Sequence, residues 1–188
     1  MSTFQTYLLL GLQHILNWQA LDHLLFILAI TCVYTLHDIK RLFYLISAFT
    51  LGHSLTLVLA TLRIVEFDAS WIEWLIPCTI FITALNNLRF EEGQKPTNAF
   101  WMVSAFGLIH GLGFSNYLQS LLGKESSIIS PLFAFNVGLE LGQMVVVSLV
   151  LGLGTLLAHL LPIRQKTYVR LLSGIIIGFV IPMLLNRW

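Results

Sequence analysis

Apolar residues fall in long unbroken runs along this chain, and charged or turn-forming residues fall in the short gaps between them. The strongest runs cover residues 44–62, 71–88, 100–122, 132–160 and 168–185. Each reaches the ~18–25 residues that an α-helix needs to cross a hydrocarbon core of ~30 Å. A longer segment, 4–36, precedes them, and at ~1.5 Å per residue it outreaches that core. Asn17-Trp18-Gln19 is the candidate interruption. It would leave 4–16 too short to cross and 20–36 just long enough, with the first piece at the interface or entering the protein as a partial helix. Its broken backbone would then have to face protein or water, not lipid. A continuous tilted helix is the alternative. Either way the pattern predicts an all-α, polytopic membrane helical bundle of about six transmembrane helices, as a single integral membrane domain over residues 1–188.

Composition agrees. Of 188 residues, 57% are hydrophobic and 10% are Asp, Glu, Lys or Arg, against roughly 25% charged in a soluble domain. There is too little charge to coat a water-exposed surface. A net charge of +1 gives no reason to expect a nucleic-acid partner. Cys32 and Cys78 both lie in apolar runs and form no CxxC pattern, which speaks against a disulfide scaffold. The start of the chain predicts no cleavable signal peptide, since it has no basic n-region and the apolar stretch carries His14, Asn17 and Gln19.

With six crossings, Lys40, Arg41, Arg89, Lys95, Arg164, Lys166 and Arg170 fall on one side, and Arg63, Lys124 and Arg187 on the other. The positive-inside rule then puts both termini away from the cytoplasm. Trp71, Trp74, Tyr168 and Trp188 sit near span ends as interfacial anchors. Gly138 with Gly142, and Gly174 with Gly178, form small-xxx-small steps that let helix backbones approach closely. The two halves of the chain carry no sequence repeat strong enough to claim.

The informative residues are the polar ones inside the runs: His14, Asp22, His23, His53, Asn86, Asn87, His110, Asn136, Glu140 and Gln143. An ionisable group at membrane depth is costly, so it should face the bundle interior or an aqueous cavity and find a partner there. Asn136, Glu140 and Gln143 recur at i, i+4 and i+7, one helix face. Thr79, Thr83 and Asn86 or Asn87 make a similar stripe. His37 and His159 lie near predicted helix ends, where an ordinary surface role is expected.

Neutral imidazole with carboxylate is a ligand set suited to zinc, nickel, cobalt or iron. Calcium or magnesium would want more oxygens. His23, His53, His110 and His14, with Asp22 and Glu140, are the candidate metal ligands. Asp22 or Glu140 is expected to fix at least one imidazole by accepting its other ring N–H. Ser54, Asn86, Asn87, Asn136 and Gln143 are candidates for supporting contacts or a pathway. The bland reading is a structural network in which each polar group satisfies a facing helix.

Asp22-His23-Leu24-Leu25-Phe26, Phe49-Thr50-Leu51-Gly52-His53-Ser54-Leu55-Thr56-Leu57, Phe106-Gly107-Leu108-Ile109-His110-Gly111-Leu112-Gly113-Phe114 and Phe135-Asn136-Val137-Gly138-Leu139-Glu140-Leu141-Gly142-Gln143 together resemble the HupE/UreJ group of hydrogenase and urease accessory membrane proteins. The resemblance runs over nearly the whole chain. It implies a six- to eight-span permease for nickel or a related divalent metal in the bacterial inner (cytoplasmic) membrane. In motif style the chain is also similar to nickel-cobalt transporters, where a histidine precedes an Asp-His pair and a Gly-His-Ser follows. By position this aligns His14, Asp22 and His23 with the first signature, and His53 with Ser54 with the second. The chain departs from the pattern in that Ala20 stands where a glycine is common, and His14 lies eight residues before Asp22.

Three functions follow as expectations. As a permease, the chain would pass a partly dehydrated nickel or related ion across His23, His53 and His110, with charge balance from Asp22 or Glu140. As an intramembrane zinc hydrolase, the same histidines would hold zinc with one position open for an activated water. As a non-catalytic accessory protein, it would serve a membrane-protein partner or a second copy of itself. Whether it is an enzyme is left open by the residues. Its partners are membrane lipids and a divalent metal ion, nickel or zinc first.

Overall fold

The structure is a computed structural model that describes residues 2–18, 21–123 and 127–187. The described residues form helices and no strand: α1 (Thr3–Leu16), α2 (Leu21–Thr31), a short 3-10 turn (Leu36–Asp38), α3 (Ile39–Thr61), α4 (Ala69–Asn87), α5 (Ala99–Leu122), α6 (Ile129–Leu160) and α7 (Gln165–Asn186).

The first long segment is two helices. Ser2 caps α1 in a reciprocal box, its hydroxyl accepting from the Gln5 N–H while the Gln5 carbonyl oxygen accepts from the Ser2 N–H. The helix stops at Leu16, where Asn17 turns to extended backbone. Gln19 and Ala20, on which part of the expected interruption falls, lie outside the described residues, as do Lys124 and Trp188. With 14 and 11 residues, α1 and α2 are ~21 and ~16 Å long, so neither crosses alone. The expectation that 20–36 just spans is therefore corrected. Its helix ends at Thr31, because the chain turns through Cys32–Thr35 into the 3-10 turn.

Among the described residues, four helices are long and apolar enough to cross a membrane: α3 together with its leading turn, α4, α6 and α7. Helix α5 is also long, 24 residues, but Gly107, His110, Gly111, Gly113, Asn116 and Gln119 dilute its apolar character. The chain is thus a polytopic membrane helical bundle. Its outer surface is apolar, as lipid requires: Leu149, Leu153, Leu156 and Leu160 of α6 and Leu171, Ile175 and Phe179 of α7 are all exposed.

Two tight helix pairs organise the interior, α1 on α6 and α3 on α5. Glycines set both contacts. A side-chain carbon on Gly11 would strike the Phe135 carbonyl, and one on Gly138 the Leu8 carbonyl. Gly107 meets the Phe49 carbonyl in the same way, Gly111 that of His53, and Gly52 that of Ser104. Backbone on backbone at this distance gives the van der Waals contact that must replace hydrophobic driving force within a membrane. Within each pair the register rises together, Gly107 to Phe49 and then Gly111 to His53, Gly11 to Phe135 and then Ile15 to Gly142. The paired helices are therefore parallel.

Polar loops lock one end of the bundle. Lys95 Nζ lies 2.7 Å from Asp38 Oδ2, and Arg41 donates to the Pro96 carbonyl at 2.7 Å. Lys166 and Arg170 both reach Glu91, at 2.6 and 3.4 Å. Lys95 and Gln165 also donate to the Val33 carbonyl just past α2. At the far end, Arg187 donates to the Glu73 carbonyl at 3.0 Å. The starts of α3, α5 and α7 and the end of α2 thus share one face, opposite the start of α4.

Candidate metal-handling site

Four helices deliver one histidine each to the bundle interior: His14 near the end of α1, His23 at the start of α2, His53 in α3 and His110 in α5. The His23 ring centroid is 4.6 Å from that of His14, 5.4 Å from His110 and 6.4 Å from His53, and His14 and His53 are also 6.4 Å apart. His23 is 6% exposed, His53 0% and His110 1%, so the convergence is inside the protein, away from lipid.

Each ring has unspent hydrogen-bonding capacity. The Nε2 atoms of His14, His23, His53 and His110 are buried without a partner among the described residues, as is Nδ1 of His53. A buried polar atom left unpaired costs roughly 1–3 kcal/mol, and five such atoms in one cluster demand an explanation. For two of the rings the tautomer follows from the neighbour. His110 Nδ1 lies 2.9 Å from the Phe106 carbonyl oxygen, which can only accept, so Nδ1 carries the proton and Nε2 presents a lone pair inward. His23 Nδ1 lies 3.2 Å from Asp22 Oδ1, with the same consequence. Asp22 also accepts from the His23 backbone N–H at 3.0 Å. A carboxylate behind a ligating imidazole raises its basicity and fixes its plane.

Aromatic rings wall the cluster. Phe26 and Phe49 lie 4.9 and 5.1 Å from His110, and Phe114 and Phe135 lie 4.1 and 5.9 Å from His14. Imidazoles sharing one tetrahedral ion through ~2.0–2.1 Å bonds place their ring centroids about 5 Å apart. The His14–His23 and His23–His110 separations bracket that value, and His53 stands about an ångström further out. Among the described residues, no three His, Cys, Asp or Glu side chains already stand in a geometry that would hold a metal ion. The set is gathered and not closed.

Glu140 is placed differently from the imidazoles. It accepts a short hydrogen bond from the Ser47 hydroxyl, across the α3–α6 seam. The same seam carries Thr50, donating to Gln143 Oε1 at 2.8 Å, and Ser54, donating to Asn136 Oδ1 at 2.6 Å. Asn136, Glu140 and Gln143 thus do share a face, and it meets an equivalent stripe of hydroxyls. Asn87 donates to the Ala29 carbonyl at 2.7 Å and ties α4 to α2, while Asn86 is exposed. Thr79 and Thr83 bond carbonyls of their own helix. His37 and His159 are exposed. Sequence reading missed Ser47 and the four phenylalanines. Ser47, Thr50 and Ser54 repeat at i, i+3 and i+7, and that period was the available signal.

Fold and site together define a polytopic helical membrane protein with a buried, lone-pair-rich histidine cluster at its centre. The HupE / UreJ protein family matches residues 1–187. The chain belongs to that family, which links it to metal-handling membrane proteins. No curated protein and no solved structure matches the chain.

Proposed function

We propose that the chain is a permease for a divalent transition metal, nickel or zinc, in the bacterial inner membrane. The observation that carries this reading is the set of unpartnered, buried imidazole nitrogens of His14, His23, His53 and His110, on rings whose centroids lie 4.6, 6.4 and 5.4 Å from that of His23 for His14, His53 and His110. Neutral imidazole takes a divalent cation without bringing a charge of its own into low dielectric, and it prefers borderline metals to calcium or magnesium. Asp22 supplies a carboxylate bonded to a ring of the cluster, so it offsets part of the ion's charge. A cluster gathered but not closed suits passage, because an ion held by a complete rigid cage leaves too slowly. Ser54, Asn136, Gln143 and Glu140 line the seam beside the cluster, and in this reading they steady it rather than ligate.

In the membrane, α1 and α2 make one discontinuous crossing. Helix α1 runs parallel to α6, so it starts at the face opposite the polar loop lock, and α2 ends at that lock. With α5 as a further crossing the total is six, in one domain. Discontinuous helices are what ion and substrate sites in transporters commonly use. The locked face carries Lys40, Arg41, Arg89, Lys95, Arg164, Lys166 and Arg170, and by the positive-inside rule it is cytoplasmic.

The test is uptake of nickel and zinc by cells expressing His23→Ala, together with binding of each ion to the purified protein. We expect loss of both uptake and binding at normal expression. Wild-type uptake by this variant would refute the reading, and a stable ion held with one open position and no transport would favour the hydrolase.

A further inference from the structure

The two glycine-set helix pairs repeat each other's close backbone contacts. The spacing that separates Gly11 from Gly107 also separates Thr3 from Ala99, the first residues of α1 and α5, and Leu8 from Ser104, Leu12 from Leu108 and His14 from His110. Phe49 and Phe135 are related to each other as Thr50 is to Asn136, Gly52 to Gly138, Ser54 to Glu140 and Thr56 to Gly142. Under these two shifts the contacts of one pair become those of the other. Gly11 against the Phe135 carbonyl becomes Gly107 against that of Phe49, and Gly138 against the Leu8 carbonyl becomes Gly52 against that of Ser104. A carbon on Gly138 would sit 2.9 Å from the Leu12 nitrogen, and one on Gly52 would sit 3.1 Å from the Leu108 nitrogen. Ile15 beside Gly142 becomes Gly111 beside Thr56. The Phe135–His14 ring contact, 5.9 Å, becomes Phe49–His110, 5.1 Å.

This is a repeat that the sequence conceals, since only scattered identities survive in it as letters: Gly-Leu-x-His and Phe-x-x-Gly, with Phe4 and Phe100, Leu16 and Leu112, Ala48 and Ala134, and Leu55 and Leu141 beside them. The α1–α2 unit, α3 and α4 form one half, and α5, α6 and α7 form the other. Helices α4 and α7 pack on each other and each carries one interior proline, Pro77 and Pro182. Each half lends a helix to the opposite pair. Because α5 starts at the locked face and α1 at the other, the halves are inverted relative to the membrane. A pseudo-two-fold axis in the membrane plane then makes His14 and His110 equivalents on either side of the cluster.

Side chains break this symmetry, as at His53, whose equivalent is Leu139, and the seam between the pairs breaks it too. The equivalent of the Ser54–Asn136 bond would be Glu140 with Thr50, yet Glu140 is on Ser47 and Thr50 is on Gln143. Ser47 and Thr50 are neighbours one turn apart on α3. An inverted repeat reaches its opposite-facing state when its halves exchange conformations. We propose that α1–α6 and α3–α5 are two rigid bodies that rock about the histidine cluster, and that the second state moves Glu140 one turn along α3, from Ser47 to Thr50. Glu140 and Thr50 are then positioning residues of the switch and not ligands. This deepens the permease reading and rests on it for the identity of the ion, but the inverted repeat can be judged without any ion.

The experiment has two arms in a Cys32→Ser, Cys78→Ala background. Ser2→Cys and Asn98→Cys, both at exposed helix starts, are treated with a membrane-impermeant thiol reagent in right-side-out and inverted vesicles. Labelling from opposite sides is expected, and labelling from the same side overturns the inverted repeat. In the second arm, Thr50→Val and Thr50→Ser are compared for nickel and zinc binding in detergent and for uptake. Thr50→Val should bind within about twofold of the parent and lose at least about tenfold in maximal uptake with little change in KM, and Thr50→Ser should restore it. Uptake by Thr50→Val at the parent rate overturns the switch. Failure of the parent protein to bind either ion would sink the permease reading and the ion switch with it, while the labelling result still decides the repeat.

Discussion

His23 and His110 meet edge to face inside the bundle, centroids 5.4 Å apart, and each has its Nδ1 side engaged by an acceptor on its own helix. Two imidazoles from helices far apart in sequence are thereby held ring against ring, each with a buried Nε2 that has no partner among the described residues. That relationship underlies the predictions about the ion.

Asp22→Ala removes the acceptor behind His23 and frees its ring to change tautomer or rotate. Metal affinity should fall roughly 10–100-fold, the usual effect of losing such a partner. Titration calorimetry with zinc and nickel on purified protein measures it, and unchanged affinity would show that Asp22 does not orient the ring.

Protons and metal compete for the same imidazole lone pairs, so binding should weaken as pH falls and should release protons. Calorimetry in two buffers of different ionisation heat reads the number released. A binding enthalpy independent of the buffer would mean that the ion does not meet the imidazoles.

Gly107→Ala puts a methyl group into the Phe49 carbonyl. The α3–α5 pair must spread, at about 1–3 kcal/mol of stability, the usual cost of overpacking. Gly152→Ala and Gly174→Ala meet open space and should be near neutral. Thermal unfolding in detergent separates the two classes, and equal effects would contradict the close approach.

At the loop lock, the hydrogen bond from Lys166 holds the Glu91 carboxyl below the usual carboxylate range. A lowered acid contributes stability above its unfolded value, about 4.3 for Glu, and loses it as pH falls through the lowered value. Glu91 is exposed and screened, so the contribution is small. Wild type and Lys166→Met should differ slightly in melting temperature at neutral pH and converge in acid, and a gap that widens in acid would reverse the sign.

Much was legible in the sequence because hydrophobic length is a local quantity. The runs that became α3, α4, α6 and α7 are long enough to be read without partners, whereas the polar break after Leu16 was one of two readings, the other a continuous tilted helix. His23, His53 and His110 stood out because an ionisable residue inside an apolar run is costly wherever it ends up. The sequence alone therefore settled that this is a helical membrane protein with histidines at depth. It could not say that α2 stops at Thr31, that Glu140 bonds Ser47 while the imidazoles gather around His23, or that the glycine contacts of α1 on α6 recur in α3 on α5. Those facts depend on which backbones approach at their glycines, and that is decided between helices distant in the chain, by close packing that leaves only a few scattered identities as its trace in the letters.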